Sequence, residues 1–393
     1  MNKQIFLSLA HIGGREQDFI KEAFDTNWVV PLGPNVDGFE SDLKDYLGEG
    51  RHVVALSSGT AALHLALIQS GVRAGDTVIC QSFTFAASAN PVVYLGAQPV
   101  FVDSETDTWN MNPTLLEEAI QDILRKTGKK PKAIIVVHLY GMPAKMAEIL
   151  EIANRYDIPV IEDAAEALGS SLNGQKCGTF GQYGILSFNG NKIITTSGGG
   201  ALVCRTEEQA KRTMFYATQA REPAPHYQHS HIGYNYRMSN ICAGIGRGQM
   251  LVLDKHVARR RTIHRFYSER LQGLSGITVM QAPAPAYNAN YWLTCIVINP
   301  ALAGYTREDI RLQMEAANIE TRPLWKPLHL QPVFKDCPYY GEKVSETLFD
   351  HGLCLPSGSA LTGDELQRVV EIINVVEQAN SNLQTSGLSI SSS

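Results

Sequence analysis

No two of the seven cysteines stand at C-x-x-C spacing, and their odd number excludes a fully paired disulfide framework. Cys80, Cys177, Cys204, Cys242, Cys295, Cys337 and Cys354 therefore read as reduced thiols, with no zinc site among them. No apolar run approaches the roughly 18 residues of a membrane span. The N-terminal "MNKQIFLSLAHIGG" has too short an apolar core for a secretory signal and lacks the usual cleavage pattern. An excess of basic charge is missing too. Against 34 Lys and Arg stand 39 Asp and Glu, a formal charge of −5, which argues against nucleic acid as a partner. The expectation is a cytoplasmic protein without a membrane segment or a metal. Small anions remain possible ligands, provided that local arginines or helix N-termini hold them.

What is present is a chain of 393 residues, 44% hydrophobic, with ample apolar mass for a core. Between residues 50 and 205, short β-rich runs alternate with helical patterns. "HVVAL" (52–56), "DTVIC" (76–80), "QPVFVD" (98–103), "KAIIVVHLYG" (132–141), "IPVIED" (158–163), "YGILSFN" (183–189) and "GALVC" (200–204) read as seven strands. Near-continuous apolar strands separated by amphipathic helices predict an α/β fold with a mostly parallel sheet covered on both faces. Ligands of such sheets bind beyond the carboxyl ends of the strands, where Ser58, His138, Asp163 and Asn189 fall. From residue 236 a long helical pattern leads into "YWLTCIVIN", "TREDIRLQMEAANI" and "DELQRVVEIINVVEQAN", a strand and two helices of a smaller α+β domain. The division is thus a large domain over 1–250, a small one over 251–378, and a Ser-rich tail over 379–393 expected to be disordered.

One lysine, Lys192, lies in "SFNGNKIITTSGGG", between a small polar run and a triple glycine. Ile193 and Ile194 suggest that its stem enters apolar surroundings, and a desolvated lysine becomes a nucleophile for carbonyl groups. Asp163 closes a buried strand. Taken by itself it suits a helix N-cap; a functional role needs a buried cation opposite it, such as a protonated pyridine nitrogen.

Five ordered stretches decide between these readings: "SSGTAAL" (57–63), "SFTFAASAN" (82–90), "EDAAEALGS" (162–170), "SFNGNKIITTSGGGAL" (187–202) and "GYNYRMSN" (233–240). Together they resemble the pyridoxal-phosphate-dependent sugar aminotransferases, the DegT/DnrJ/EryC1/StrS family, over most of residues 5 to 370. The resemblance implies the aspartate-aminotransferase fold (fold type I), with a mixed, mostly parallel seven-stranded sheet in the large domain. It implies that Lys192 forms the Schiff base with pyridoxal 5′-phosphate, with the pyridoxamine form as the amine carrier. Asp163 would keep the ring nitrogen protonated. Glu166, one helical turn on, matches the position that touches the ring hydroxyl, and Phe85 the aromatic stacked on the ring. Gly59 and Thr60 begin a helix whose N–H groups favour the phosphate, and Ser187 matches a second phosphate ligand. Asn235 resembles the residue that reaches the phosphate of a neighbouring subunit, which implies a homodimer with shared sites. Dehydratases of the same fold have histidine in place of the lysine, so amine transfer is favoured.

For the substrate, "HLYGMPAKM", "YATQARE" and "ETRPLWKPLH" look closest to the branch that aminates C4 of UDP-2-acetamido-2,6-dideoxy-α-D-xylo-hexos-4-ulose with L-glutamate, on the way to bacillosamine in bacterial glycan synthesis. The pseudaminic-acid precursor and GDP-4-keto-6-deoxymannose, the precursor of GDP-perosamine, are the alternatives. Arg322 could bind the diphosphate or the glutamate carboxylate, or be a surface arginine; Arg221, Lys326 and His329 are further candidates. "HYQHSHIGYNYR" holds His226, His229 and His231, but the spacing fits no zinc pattern, and a loop near the site entrance is expected. A binding protein that keeps the cofactor only as a ligand would carry a DNA-binding extension, and none is visible. A dehydrogenase would need a dinucleotide fingerprint, which "GTFGQYG" is not.

Overall fold

The computed structural model describes residues 3–388. Its centre is an eight-stranded sheet in the order His52–Leu56, Gly200–Cys204, Tyr183–Ser187, Val160–Asp163, Ala133–Val137, Thr77–Gln81, Gln98–Val102, Tyr339–Tyr340. Gly200–Cys204 runs antiparallel to both neighbours, and all other pairings are parallel. The seven strands read from the sequence are therefore joined by an eighth. Tyr339 and Tyr340 come from far along the chain and extend the edge with two residues, too short a run for an alternation pattern to reveal.

Alternate side chains of the strands supply two cores. Val78, Cys80, Ile135, Ile161 and Ile185 face the Gly59–Gln69 helix, which is apolar on most sides and buried accordingly. Ile79, Val100, Ile134, Val136 and Val160 face the amphipathic helices Pro113–Thr127 and Met146–Arg155. Fully covered parallel strands of this kind need no polar face, hence the unbroken run Ala133–Val137, in which every residue is buried.

A second sheet is antiparallel, in the order Ile277–Val279, Thr294–Ile298, Gly352–Leu355, Arg322–Pro323. It packs on the helices Leu253–Leu271, Arg307–Ala316 and Gly363–Leu388 through Ile263, Tyr267, Ile296, Ile310, Met314, Leu353 and Val369. The helical pattern beginning near residue 236 is realised as two helices, Asn240–Met250 and Leu253–Leu271. The first carries three glycines for a packing reason: at Gly246 a Cβ would stand 2.7 Å from the ring of Phe39 on the Pro34–Leu47 helix. The Gly363–Leu388 helix runs through the first part of the Ser-rich tail, and residues 389–393 of that tail lie outside the described residues. Among the described residues no helix is long and apolar enough to cross a membrane.

Candidate active site

Beyond the carboxyl ends of Val160–Asp163 and Tyr183–Ser187 lies a cavity of about 260 Å³. Its polar lining comes from Ser58, Gly59, Thr60, Ser88, Asp163, Glu166, Ser187 and Lys192; its aromatic walls are Phe85, Trp292 and Trp325. Six separate chain segments supply these residues.

Ser58 caps the Gly59–Gln69 helix, its Oγ accepting the N–H of Ala61 at 3.0 Å. The first-turn N–H groups of Gly59 and Thr60 thus meet the cavity at the positive end of the helix dipole, an environment suited to a phosphate. The Gly200–Cys204 strand crosses directly against this turn. A Cβ at Gly200 would collide with the backbone of Ser58 and Gly59, so only glycine lets the strand pass. That crossing accounts for the last glycine of the triplet beside the lysine.

Asp163 is 8% exposed. Its Oδ2 accepts the hydroxyl of Ser88 at 2.7 Å, and its Oδ1 accepts the N–H of Ala165 at 3.2 Å. Ser88 is in turn 3.0 Å from the hydroxyl of Thr84. No helix starts after the strand: residues 164–170 form turns, so Asp163 caps nothing and Glu166 stands on a turn, not one helical turn along. Glu166 Oε2 accepts the N–H of Tyr140 at 2.7 Å, and Oε1 lies 3.4 Å from Lys192 Nζ. Burial pushes the Glu166 carboxyl up from its ordinary range, against the opposing pull of the Lys192 ammonium and the Tyr140 N–H. Lys192 itself lies in the loop between Tyr183–Ser187 and Gly200–Cys204. Ile193 and Ile194 anchor that loop in the core, and the ammonium sits 4.0 Å from the ring centre of Trp292.

Beneath the site, Glu162 and His138 form a fully buried pair, 2.8 Å apart. Glu162 also accepts the N–H groups of Gly178, Phe180 and Gly181. This explains "GTFGQYG": the run is folded around a buried carboxylate.

The donor set fits one cofactor. An amine for an aldehyde, a buried carboxylate for a ring nitrogen, an aromatic wall and a helix N-terminus for a phosphate are what pyridoxal phosphate requires. A family model, the DegT/DnrJ/EryC1/StrS aminotransferase family, matches residues 10–374. The chain belongs to this family. It is a pyridoxal-phosphate-dependent sugar aminotransferase, as the five motifs implied.

Among its relatives is EpsN of Bacillus subtilis, described as a candidate pyridoxal phosphate-dependent aminotransferase, 52% identical over 95% of this chain and 96% of its own. GDP-perosamine synthase of Caulobacter vibrioides is 35% identical over 95% and 98%. A DegT/DnrJ/EryC1/StrS aminotransferase from Brucella abortus superposes with a TM-score of 0.85 at 32% identity, covering 92% of this chain and 95% of its own. A candidate sugar aminotransferase of Streptococcus pneumoniae, solved in its pyridoxamine-phosphate form, gives 0.87 at 25% identity, covering 98% and 100%.

Of the residues singled out by sequence, Gly59, Thr60, Phe85, Asp163, Glu166, Ser187 and Lys192 line one cavity. Asn235 does not. It is exposed, in a loop bridged to Thr218. The four substrate candidates do not line it either. Arg322 pairs with Glu320 at 3.0 Å in a separate surface hollow, where adjacent strand residues place it. Arg221 lies on an exposed loop over the ring of Tyr227, and Lys326 is exposed beside Trp325. His329 is turned inward, stacked on Tyr339 at 3.6 Å with its Nδ1 2.7 Å from Ser82 Oγ. The three histidines of "HYQHSH" form no metal-binding group among the described residues. Sequence reading missed Ser88, Tyr140, Trp292 and Trp325. They lie in "SFTFAASAN", "HLYGMPAKM", "YWLTCIVIN" and "ETRPLWKPLH", stretches that stand out for their overall likeness or strand pattern and not for these residues.

Proposed function

We propose that this enzyme transfers the amino group of L-glutamate to C4 of UDP-2-acetamido-2,6-dideoxy-α-D-xylo-hexos-4-ulose, giving the UDP-4-amino sugar. The observation that carries amine transfer is the lysine held at the cavity between Glu166 and the Trp292 ring, across from a buried Asp163. Pyridoxal phosphate supplies, when bound, a ring that withdraws electrons from the carbon bearing the amine. Asp163 holds the proton on the ring nitrogen, and Ser88 and the Ala165 N–H fix the carboxylate for that task. Lys192 Nζ would move a proton between the amino-donor carbon and the aldehyde carbon of the cofactor, and Glu166 keeps that amine in reach between turnovers. Gly59, Thr60 and Ser187 hold the phosphate; Phe85, with Trp325 against it at 5.3 Å, walls the ring side. Asn235 completes the phosphate site of a second copy, in a homodimer with shared sites.

The UDP-linked acceptor is supported by the likeness of the segments around Lys192, Tyr140 and Trp325 to the bacillosamine branch. A second reading, GDP-4-keto-6-deoxymannose, is favoured by three GDP-perosamine synthases at 35%, 36% and 32% identity over more than nine-tenths of this chain. The two separate in one experiment. Cofactor-loaded protein is bleached with glutamate, freed of excess donor and offered each keto-sugar. Return of the visible band and an amino-sugar mass with the UDP substrate supports the proposal; return with the GDP substrate alone replaces it. Lys192→Ala must abolish both half-reactions.

A further inference from the structure

Tyr140 is the residue through which the separate walls of the site touch one another. Its side chain is 2% exposed, and its backbone has φ 52° and ψ 18°, the left-handed region that an aromatic residue rarely enters. This unfavourable conformation turns its N–H toward Glu166 Oε2 at 2.7 Å. Strain of that kind persists only where surrounding contacts hold it. Here they are two parallel rings. Trp292 stacks with it at 6.4 Å and 17°, and Trp325 at 6.4 Å and 7°. The phenol oxygen accepts the backbone N–H of Trp325 at 2.9 Å.

These three rings reach the lysine and the cavity wall. Lys192 Nζ lies over the ring of Trp292, whose indole N–H donates to the carbonyl of Asn191, the residue before the lysine, at 2.7 Å. Trp325 meets Phe85. Trp292 is itself pinned from behind, since the buried guanidinium of Arg260 donates to its carbonyl. A shift of Tyr140 therefore moves Glu166 by the main chain and both tryptophans by the ring.

We propose that Tyr140 is a positioning residue for amine transfer: it fixes Lys192 through Trp292 and Glu166, and the acceptor side through Trp325. This rests on the roles given above to Lys192 and Glu166. A residue with only a structural role would lower stability and the number of loaded sites, and would leave the rate of each loaded site unchanged.

The test is single-turnover bleaching of the bound cofactor by glutamate, normalised to cofactor content, together with circular dichroism of its visible band. Tyr140→Leu and Trp292→Leu should each slow bleaching on the order of tenfold to a hundredfold per loaded site, and alter the dichroic band. Tyr140→Phe keeps the ring and restores the glutamate rate. It removes one hydrogen-bond acceptor at Trp325, so KM for the keto-sugar should rise about fivefold. Wild-type bleaching and an unchanged band in folded, loaded Leu variants overturn the proposal. Should those variants not fold, an unchanged keto-sugar KM in Tyr140→Phe overturns it alone. Activity in Lys192→Ala would instead overturn the underlying assignment of the lysine.

Discussion

Asp163→Asn isolates the charge of one buried carboxylate while preserving its shape. Asp163 makes two hydrogen bonds within the protein, from Ser88 Oγ and the Ala165 N–H, leaving acceptor capacity directed to the cavity that it lines. Asn can still accept from Ala165 and share a hydrogen with Ser88, so the turn after the strand survives. What disappears is the negative charge opposite a protonated ring nitrogen. Leaving one member of a buried ion pair without its partner costs about 3–5 kcal/mol. At about 1.4 kcal/mol per factor of ten, the glutamate half-reaction should slow by roughly two to four orders of magnitude. Stability should change little, because no helix depends on Asp163 for a cap. The assay is stopped-flow absorbance of the loaded protein mixed with glutamate, with far-ultraviolet circular dichroism to confirm the fold. A rate within tenfold of wild type would refute the charge-partner role and leave Asp163 as a turn residue.

Ser88→Ala removes the shorter of the two hydrogen bonds to that carboxylate, worth about 1.5–3 kcal/mol for a charged acceptor. Bleaching by glutamate should slow between tenfold and a hundredfold, and a wild-type rate would sever Ser88 from the site. If Asn235 acts on a second copy, mixing inactive Lys192→Ala with inactive Asn235→Asp protein should restore activity up to about a quarter of wild type, from the intact site of each mixed dimer. Failure to complement, with subunit exchange shown by native mass spectrometry, would place Asn235 in its own chain's machinery. Asp103 ties the large sheet to the Val344–His351 helix, accepting the N–H groups of Glu342, Val344 and Ser345 and the Ser345 hydroxyl. Burial alone would push its carboxyl up, but the hydrogen bonds from Ser345 and neighbouring backbone outweigh this and hold it below the ordinary Asp range. A depressed folded pKa means a stabilisation that is full above the unfolded value of about 3.9 and is lost as the pH falls through the lower folded value. Asp103→Ala should therefore lower the urea midpoint at pH 7, and the gap to wild type should narrow as the pH falls below about 4. A gap independent of pH would assign the loss to packing.

The sequence disclosed the parts of the site that obey short-range rules. Strand ends mark where a doubly covered sheet binds ligands, a small-residue turn before a helix marks an anion cup, and a lysine among glycines and isoleucines marks a buried amine. It carries less about what depends on the distant chain. Arg322 and His329 occupy a stretch rich in cations that suggested an anion site. In the structure one is spent on Glu320, and the other is packed against Tyr339, the same residue whose late strand closes the sheet edge. Asp163 taken by itself suits a helix cap better than a functional role, since the stretch over 164–170 carries the Ala-rich composition of a helix; buried Asn290, bonding the carbonyls of Glu166 and Leu168, holds it in turns.

Trp292 and Tyr140 escaped notice for a related reason. Each reads locally as a core aromatic beside a strand, and each is one; burial and function coincide, so composition cannot separate them. What distinguishes them is that Lys192 rests on one and Glu166 on the main chain of the other. That arrangement also explains why this site is spread over six segments. In the role proposed for Lys192, a lysine that first binds the cofactor and then releases it needs surroundings that keep its position in both conditions. Rings and main-chain amides supply such a frame, because neither gains nor loses a proton while the lysine does its work.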